Sequence, residues 1–157
     1  MPLAVGTPAP DFTLKSKNES GLVEVTLSDN FGHRPSVLLF FPAAFTGVCT
    51  QEMCDLSGGL HGFGENVAVY GISTDSPFAQ EGWAKASNIT VTLLSDYALK
   101  VTRAYDVVLE DLIGLGPAAA RAAFVVDAAG TVVYSERTPT PLELPNFEAI
   151  RAVLAGL

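Results

Sequence analysis

The chain has 157 residues and a formal net charge of -8, from 9 Lys+Arg against 17 Asp+Glu. Hydrophobic residues make up 48% and charged residues only 17%, against roughly 25% charged in an average globular protein. That excludes disorder, which needs low hydrophobicity and high charge, and it leaves no basic footprint for nucleic acid. The length suits one domain over residues 1–157. The 2 cysteines are too few to staple a small secreted domain, so they are free to do chemistry.

Met1 to Phe12 lacks a basic segment followed by an apolar run, so a signal peptide is not expected. The longest apolar runs, such as Val37 to Phe41, fall short of the roughly 20 residues of a membrane span. The expectation is a soluble, cytoplasmic protein. There thiols stay reduced, and cysteines read as reactive, metal-binding or inert before they read as a structural bridge.

The elements follow in order. Gly6, Pro8 and Pro10 make an irregular entry. Val23 to Leu27 alternates at period two and ends at Ser28-Asp-Asn30, a short strand and a turn. Ser36 to Phe41 is a continuous apolar run, as for a strand buried on both faces, and Pro42 ends it. A helix is expected from Gly47 to Leu60, with Cys49, Met53, Leu56 and Leu60 at spacings of three and four. Asn66 to Ser73 is a second buried strand. Ser76-Pro77 opens a helix through Ala86, with proline in its first turn. Thr90 to Leu94 is a short strand and Tyr97 to Tyr105 a short helix. Ala122 to Val126 and Thr131 to Tyr134 flank Asp127-Ala-Ala-Gly130, a hairpin signal. Pro145 to Leu154 reads as a terminal helix. This order gives an α/β fold with a mixed central sheet and helices on both faces.

The chemistry concentrates between Phe40 and Cys54. A buried strand ends, a proline turn follows, and Cys49 falls in the first turn of the next helix. Unpaired amides and the helix dipole there favour a negative charge, and hence the nucleophilic thiolate. Thr46, three residues upstream, can direct its hydroxyl to the same spot or cap the helix, and the two roles are compatible.

Here the sequence resembles the peroxiredoxins. Their active-site pattern Pro-x-x-x-Thr-x-x-Cys stands as Pro42, Thr46 and Cys49. Ala9-Pro-Asp-Phe12, Phe40-Phe-Pro42 and Ser73-Thr-Asp-Ser76 match further family features in order. Arg121, three residues before Phe124-Val-Val-Asp127, sits where the family places its catalytic arginine. The resemblance runs from about Gly6 to the end and implies a thioredoxin-like fold. It implies that Cys49 attacks a peroxide and becomes a sulfenic acid. Arg121, which keeps its charge, would hold the thiolate and polarise the peroxide. Thr46 would align the O–O bond, Pro42 would shield the sulfur from water, and Glu52 would fix the arginine. The implied substrates are hydrogen peroxide and organic hydroperoxides. The implied partners are a thioredoxin-like or glutaredoxin-like reductant and a second copy of the chain in a homodimer.

Cys54 lies five residues after Cys49. In a helix this spacing separates the Cα atoms by roughly 8–9 Å and turns the side chains about 140° apart, whereas a disulfide wants Cα atoms about 4.4–6.8 Å apart. A bridge therefore requires the helix to unwind. Gly58, Gly59 and Gly62 suggest a helix that frays readily. The spacing resembles that of the Q-type (bacterioferritin-comigratory) peroxiredoxins, which implies Cys54 as the resolving cysteine. The residues before Cys49, with Val48 in place of the Q-type glycine, are more similar to the E-type (alkyl hydroperoxide reductase E) proteins, many of which use one cysteine. That alternative leaves Cys54 a buried hydrophobe and an external thiol as resolver. A second alternative is a thioredoxin-fold binding or chaperone module without turnover.

Other chemistry is weakly signalled. His33 and His61 are isolated, so no metal site is expected. No phosphate-binding glycine motif is present, and no cofactor is expected. Trp83 reads as packing or a dimer contact, and the Val107-to-Gly116 segment as a loop with solvated Glu110 and Asp111.

Overall fold

The computed structural model describes residues 1–59 and 62–157. In chain order it contains β1 (Thr13–Asn18), β2 (Gly21–Thr26), a 3-10 turn (Leu27–Asn30), β3 (Ser36–Phe40), α1 (Gly47–Ser57), β4 (Ala68–Ser73) and α2 (Pro77–Ser87). There follow β5 (Thr92–Ser95), α3 (Lys100–Ala104), β6 (Val108–Leu109), β7 (Ala118–Ala119), β8 (Ala122–Val126), β9 (Val132–Arg137) and α4 (Phe147–Ala155). Among the described residues no helix is long and apolar enough to cross a membrane.

Seven strands form one mixed sheet in the order β2-β1-β5-β4-β3-β8-β9. β3, β4 and β5 run parallel, while β8 and β1 flank them antiparallel. Period-two alternation sends Leu38 and Phe40 to one face and Val37, Leu39 and Phe41 to the other. The first face packs under the N-terminal segment and α3, through Phe12, Leu27, Val101 and Tyr105. The second packs under α1, α2 and α4, through Met53, Trp83, Phe147 and Ile150. The expected fold class, with helices on both faces, is the one observed.

The strand expected over Val23–Leu27 is β2, shifted toward Gly21 and paired with β1. β1 lacks a sequence signal because its segment, TLKSKN, carries two lysines and a terminal asparagine. The expected Tyr97–Tyr105 helix begins only at Lys100, because Leu99 takes a left-handed φ of 60°. The Asp96 carboxylate then accepts from the amides of Val101 and Thr102 and so caps the short α3. The supposed loop from Val107 to Gly116 holds β6 and the turn leading to its partner β7, and Asp111 accepts from the amides of Gly114 and Gly116 in that turn. Asp111 is exposed, as expected, and also forms the turn.

α1 ends earlier than expected. Gly58 is its C-cap and Gly59 follows with a left-handed φ of 76°. These glycines terminate the helix rather than loosening its interior. Leu60 and His61 lie outside the described residues. Ser76 caps α2 by accepting from the Ala79 amide, and Asn146 caps α4 by accepting from the Ala149 amide.

Gly71 in β4 lets α1 lie close on the sheet. A Cβ there would stand 2.9 Å from Leu93 Cδ2, 3.0 Å from Met53 Sδ and 3.3 Å from Phe41 Cε1. A Cβ there would require Leu93 and Met53 to shift. Gly71→Ala is expected to destabilise the protein by about 1–3 kcal/mol through overpacking, read as a lower urea midpoint. A midpoint equal to wild type would show that Met53 and Leu93 give way.

Candidate active site

The site is built where β3 hands over to α1. The ladder ends with the Phe41 amide donating to the Ile72 carbonyl at 2.9 Å, and Pro42 follows, buried. The connection from Pro42 to Thr46 then leads into α1. Helical spacing puts Cys49, Glu52 and Met53 on one face, and these are the three buried residues of α1. That face points back at the sheet, toward the start of β8.

Arg121 reaches the site through the sheet register. β8 pairs antiparallel with β3, with Phe40 opposite Ala122. Arg121 is the residue before Ala122, so it emerges beside the end of β3, close to Cys49 despite a sequence separation of 72. Its side chain is 1% exposed and that of Glu52 0%. A buried cation is tolerated only when its donors are engaged. Nη2 donates to Cys49 Sγ at 2.9 Å, Nη1 to Glu52 Oε1 at 3.0 Å, and Nε to the Pro141 carbonyl at 2.9 Å. The guanidinium therefore holds a sulfur, a carboxylate and a backbone carbonyl together.

Glu52 is under opposing influences. Burial pushes its carboxyl up to about 7, although the Arg121 charge and hydrogen bond pull it the other way. Its second oxygen, Oε2, is buried with no partner, which disfavours the anion.

Thr46 stands at the N-cap of α1 with extended backbone, but its side chain makes no capping bond. Its hydroxyl instead donates to the Ala43 carbonyl at 2.8 Å, across the bend of the loop. The capping role is thus not the one adopted, and the hydroxyl belongs to the loop before Cys49. Phe45 sits in that bend with a left-handed φ of 66°.

Cys54 points away from Cys49. It is half-buried, and its thiol donates to the Ser87 carbonyl at 3.4 Å. Both cysteines are free, as the intact helix between them requires. Trp83 is fully buried against Phe41, with ring centroids 5.2 Å apart, and its indole N–H donates to Thr50 Oγ1 at 3.0 Å. Of its two expected roles, packing is the one seen. The sequence reading missed the Pro141 carbonyl, since a backbone acceptor on a distant loop leaves no residue-type signal.

Residues 5–135 match the AhpC/TSA family. This chain belongs to the AhpC/TSA family. As a member it is an enzyme of the peroxidase class. A thiol peroxidase of Listeria monocytogenes is 36% identical over 147 residues, covering 92% of this chain and 84% of that protein. The alkyl hydroperoxide reductase E of Mycobacterium bovis is 39% identical over 137 residues, covering 85% of each. Among solved structures, a peroxiredoxin-like protein from Aquifex aeolicus matches with a TM-score of 0.86 at 28% identity, covering 99% of this chain and 88% of that one. The reduced 2-Cys peroxiredoxin of Plasmodium vivax matches with a TM-score of 0.85 at 29% identity, covering 98% and 81%. The thioredoxin-like architecture is thus the family's own, and the family places this chain among enzymes rather than non-catalytic binding modules.

The raised Glu52 carboxyl gives a stability prediction. Its ordinary value is 4.5 and its folded value about 7, so between these the folded state binds more protons than the unfolded chain. The contribution is fully present below pH 4.5 and is lost as the pH rises through about 7. It amounts to on the order of 3 kcal/mol over the window. Glu52→Gln is expected to flatten this dependence, so urea unfolding at pH 5 and pH 8 differs less in the variant than in wild type. An identical difference in both proteins would show that Glu52 keeps an ordinary carboxyl.

Proposed function

We propose that the chain reduces hydrogen peroxide and organic hydroperoxides at Cys49. The observation that carries this reading is the 2.9 Å contact between Arg121 Nη2 and Cys49 Sγ in a buried site. A guanidinium cannot give up its charge, and in a low-dielectric pocket its donor stabilises a thiolate strongly. The names of the Listeria and Mycobacterium relatives support the same chemistry.

In the first step the thiolate attacks one peroxide oxygen. An S–O bond forms, the O–O bond breaks, and the leaving alkoxide or hydroxide takes a proton to become alcohol or water. Cys49 is left as sulfenic acid, oxidised by two electrons. Arg121 lies where it can stabilise the charge that develops on the peroxide oxygens. Thr46 Oγ1 keeps acceptor capacity for a peroxide O–H, and Pro42, lacking an N–H, helps close the sulfur off from water. Glu52 holds the guanidinium in its working orientation.

In the second step Cys54 attacks Cys49 Sγ, an S–S bond forms and water leaves. α1 must open for this, and its outer face shows what has to break. Thr50, Cys54 and Ser57 lie along that face and bind the α2–β5 segment. Trp83 Nε1 donates to Thr50, Cys54 donates to Ser87, and Ser57 Oγ accepts from the amides of Thr90 and Val91. The disulfide would be returned to thiols by a thioredoxin-like or glutaredoxin-like dithiol protein. The Cys54–Ser87 bond favours a second reading, in which Cys54 anchors α1 and an external thiol resolves Cys49.

Cys49→Ser is expected to abolish peroxide consumption supported by thioredoxin. In wild type, one equivalent of peroxide should give a Cys49–Cys54 disulfide by mass spectrometry, together with a change in the fluorescence of Trp83. Sulfenic or sulfinic Cys49 alone, with Cys54 still a thiol, would establish the external-thiol reading instead.

A homodimer is also proposed. Phe45, Phe78, Tyr97, Ile113, Leu115 and Leu142 are large apolar side chains left exposed, and Phe45 and Leu142 adjoin site residues. Sedimentation at micromolar concentration should show a mass near twice 16.5 kDa, and a monomer would refute it.

A further inference from the structure

The loop from Pro42 to Thr46 carries Thr46, assigned to peroxide binding, and Pro42, assigned to shielding the sulfur, yet it holds an unfavourable conformation. Phe45 has a φ of 66°, in the left-handed region that side chains larger than asparagine rarely adopt. Such a residue is strained and persists only where its surroundings over-determine it. On one side of Phe45 the Thr46 hydroxyl holds the Ala43 carbonyl. On the other side the Ala44 amide donates to Asp75 Oδ2 at 2.8 Å. Asp75 belongs to the segment after β4, so this bond ties the catalytic loop to the neighbouring strand.

The tie is itself oriented from below. Gln80 Nε2 donates to Ser73 Oγ at 2.9 Å and to the Leu94 carbonyl at 2.9 Å. With its oxygen accepting from Gln80, the Ser73 hydroxyl donates its one proton to Asp75 Oδ2 at 2.7 Å. Ser95 Oγ donates to the Asp75 carbonyl at 2.6 Å and fixes the backbone as well. Gln80 and Ser73 are buried, so the chain Gln80–Ser73–Asp75–Ala44 runs from the core to the loop with each donor direction set.

We propose that Asp75 is a positioning residue for the peroxidase reaction: its carboxylate clamps the Ala44 amide and so holds the strained Pro42–Thr46 loop where peroxide is bound. The proposal rests on peroxide reduction at Cys49. Asp75 touches neither the sulfur nor Arg121 in any hydrogen bond of the site, so it acts on the placement of peroxide and not on the thiolate. The two effects separate experimentally. Peroxide must be aligned by the loop to react, and a misplacement of about 1 Å can cost about 100-fold. Alkylation of Cys49 by iodoacetamide needs only the nucleophile.

Asp75→Ala is expected to lower the second-order rate of Cys49 oxidation by hydrogen peroxide by about 10- to 100-fold, with iodoacetamide alkylation of Cys49 unchanged. Asp75→Asn keeps an acceptor oxygen for Ala44 without the charge and should restore most of the rate. If Asp75→Ala does not fold, Ser73→Ala tests the same chain, with an expected loss of a few-fold in peroxide rate alone. A wild-type peroxide rate in Asp75→Ala, or a parallel fall of both rates in a folded variant, would overturn the clamp. Peroxide reduction that survives Cys49→Ser would overturn the functional reading itself, a different outcome from either.

Discussion

A single buried guanidinium organises this protein. Arg121 has lost nearly all contact with water, and a cation in that position must find partners for its donors or destabilise the fold. It finds them on two separate pieces of chain. Cys49 and Glu52 come from one face of α1, and the Pro141 carbonyl comes from the segment after β9. The β3–β8 register delivers Arg121 to the end of β3, where α1 begins. Structure and the proposed chemistry share this requirement, because the group that must be satisfied for the chain to fold is also the one that contacts the Cys49 sulfur.

The consequence is a competition for one positive charge. The Cys49 sulfur and the Glu52 carboxyl both approach Arg121, and burial already resists ionisation of the second. With Oε2 lacking a partner, Glu52 is poised to keep a proton near neutral pH, which leaves more of the Arg121 charge for sulfur. The carboxyl thus serves as an orienting group without fully cancelling the cation it orients.

α1 faces two ways. Its inner residues Cys49, Glu52 and Met53 belong to the site and the core, and Gly71 makes room for Met53. Its outer residues Thr50, Cys54 and Ser57 fasten it to α2 and the start of β5. Hydrogen bonds thus fasten the helix on both sides, those of the inner face to the buried Arg121 and those of the outer face to the α2–β5 segment. In the proposed resolution step, those outer bonds are what the opening must break.

Much of this could be read in the chain before any coordinates. The buried strand at Ser36–Phe40, the helix after Pro42, the Ser76 cap and the β8–β9 hairpin all follow from periodicity and turn chemistry, which are local properties. The candidate nucleophile followed from a cysteine in the first turn of a helix, and Arg121 from its place in a family pattern. Other features depend on distant partners. β1 forms because β2 and β5 accept its edges, and α3 starts late because Asp96 holds its amides. Thr46 bonds Ala43 rather than capping α1, and Asp75 reaches across from β4 to hold the loop. The sequence by itself determined most of the elements and singled out the candidate cysteine, because propensity, spacing and helix-end electrostatics act within a few residues. Only the tertiary structure decided how Arg121 is shared and which way Cys54 points, because both depend on donors and acceptors that sheet register and helix packing bring together from far along the chain.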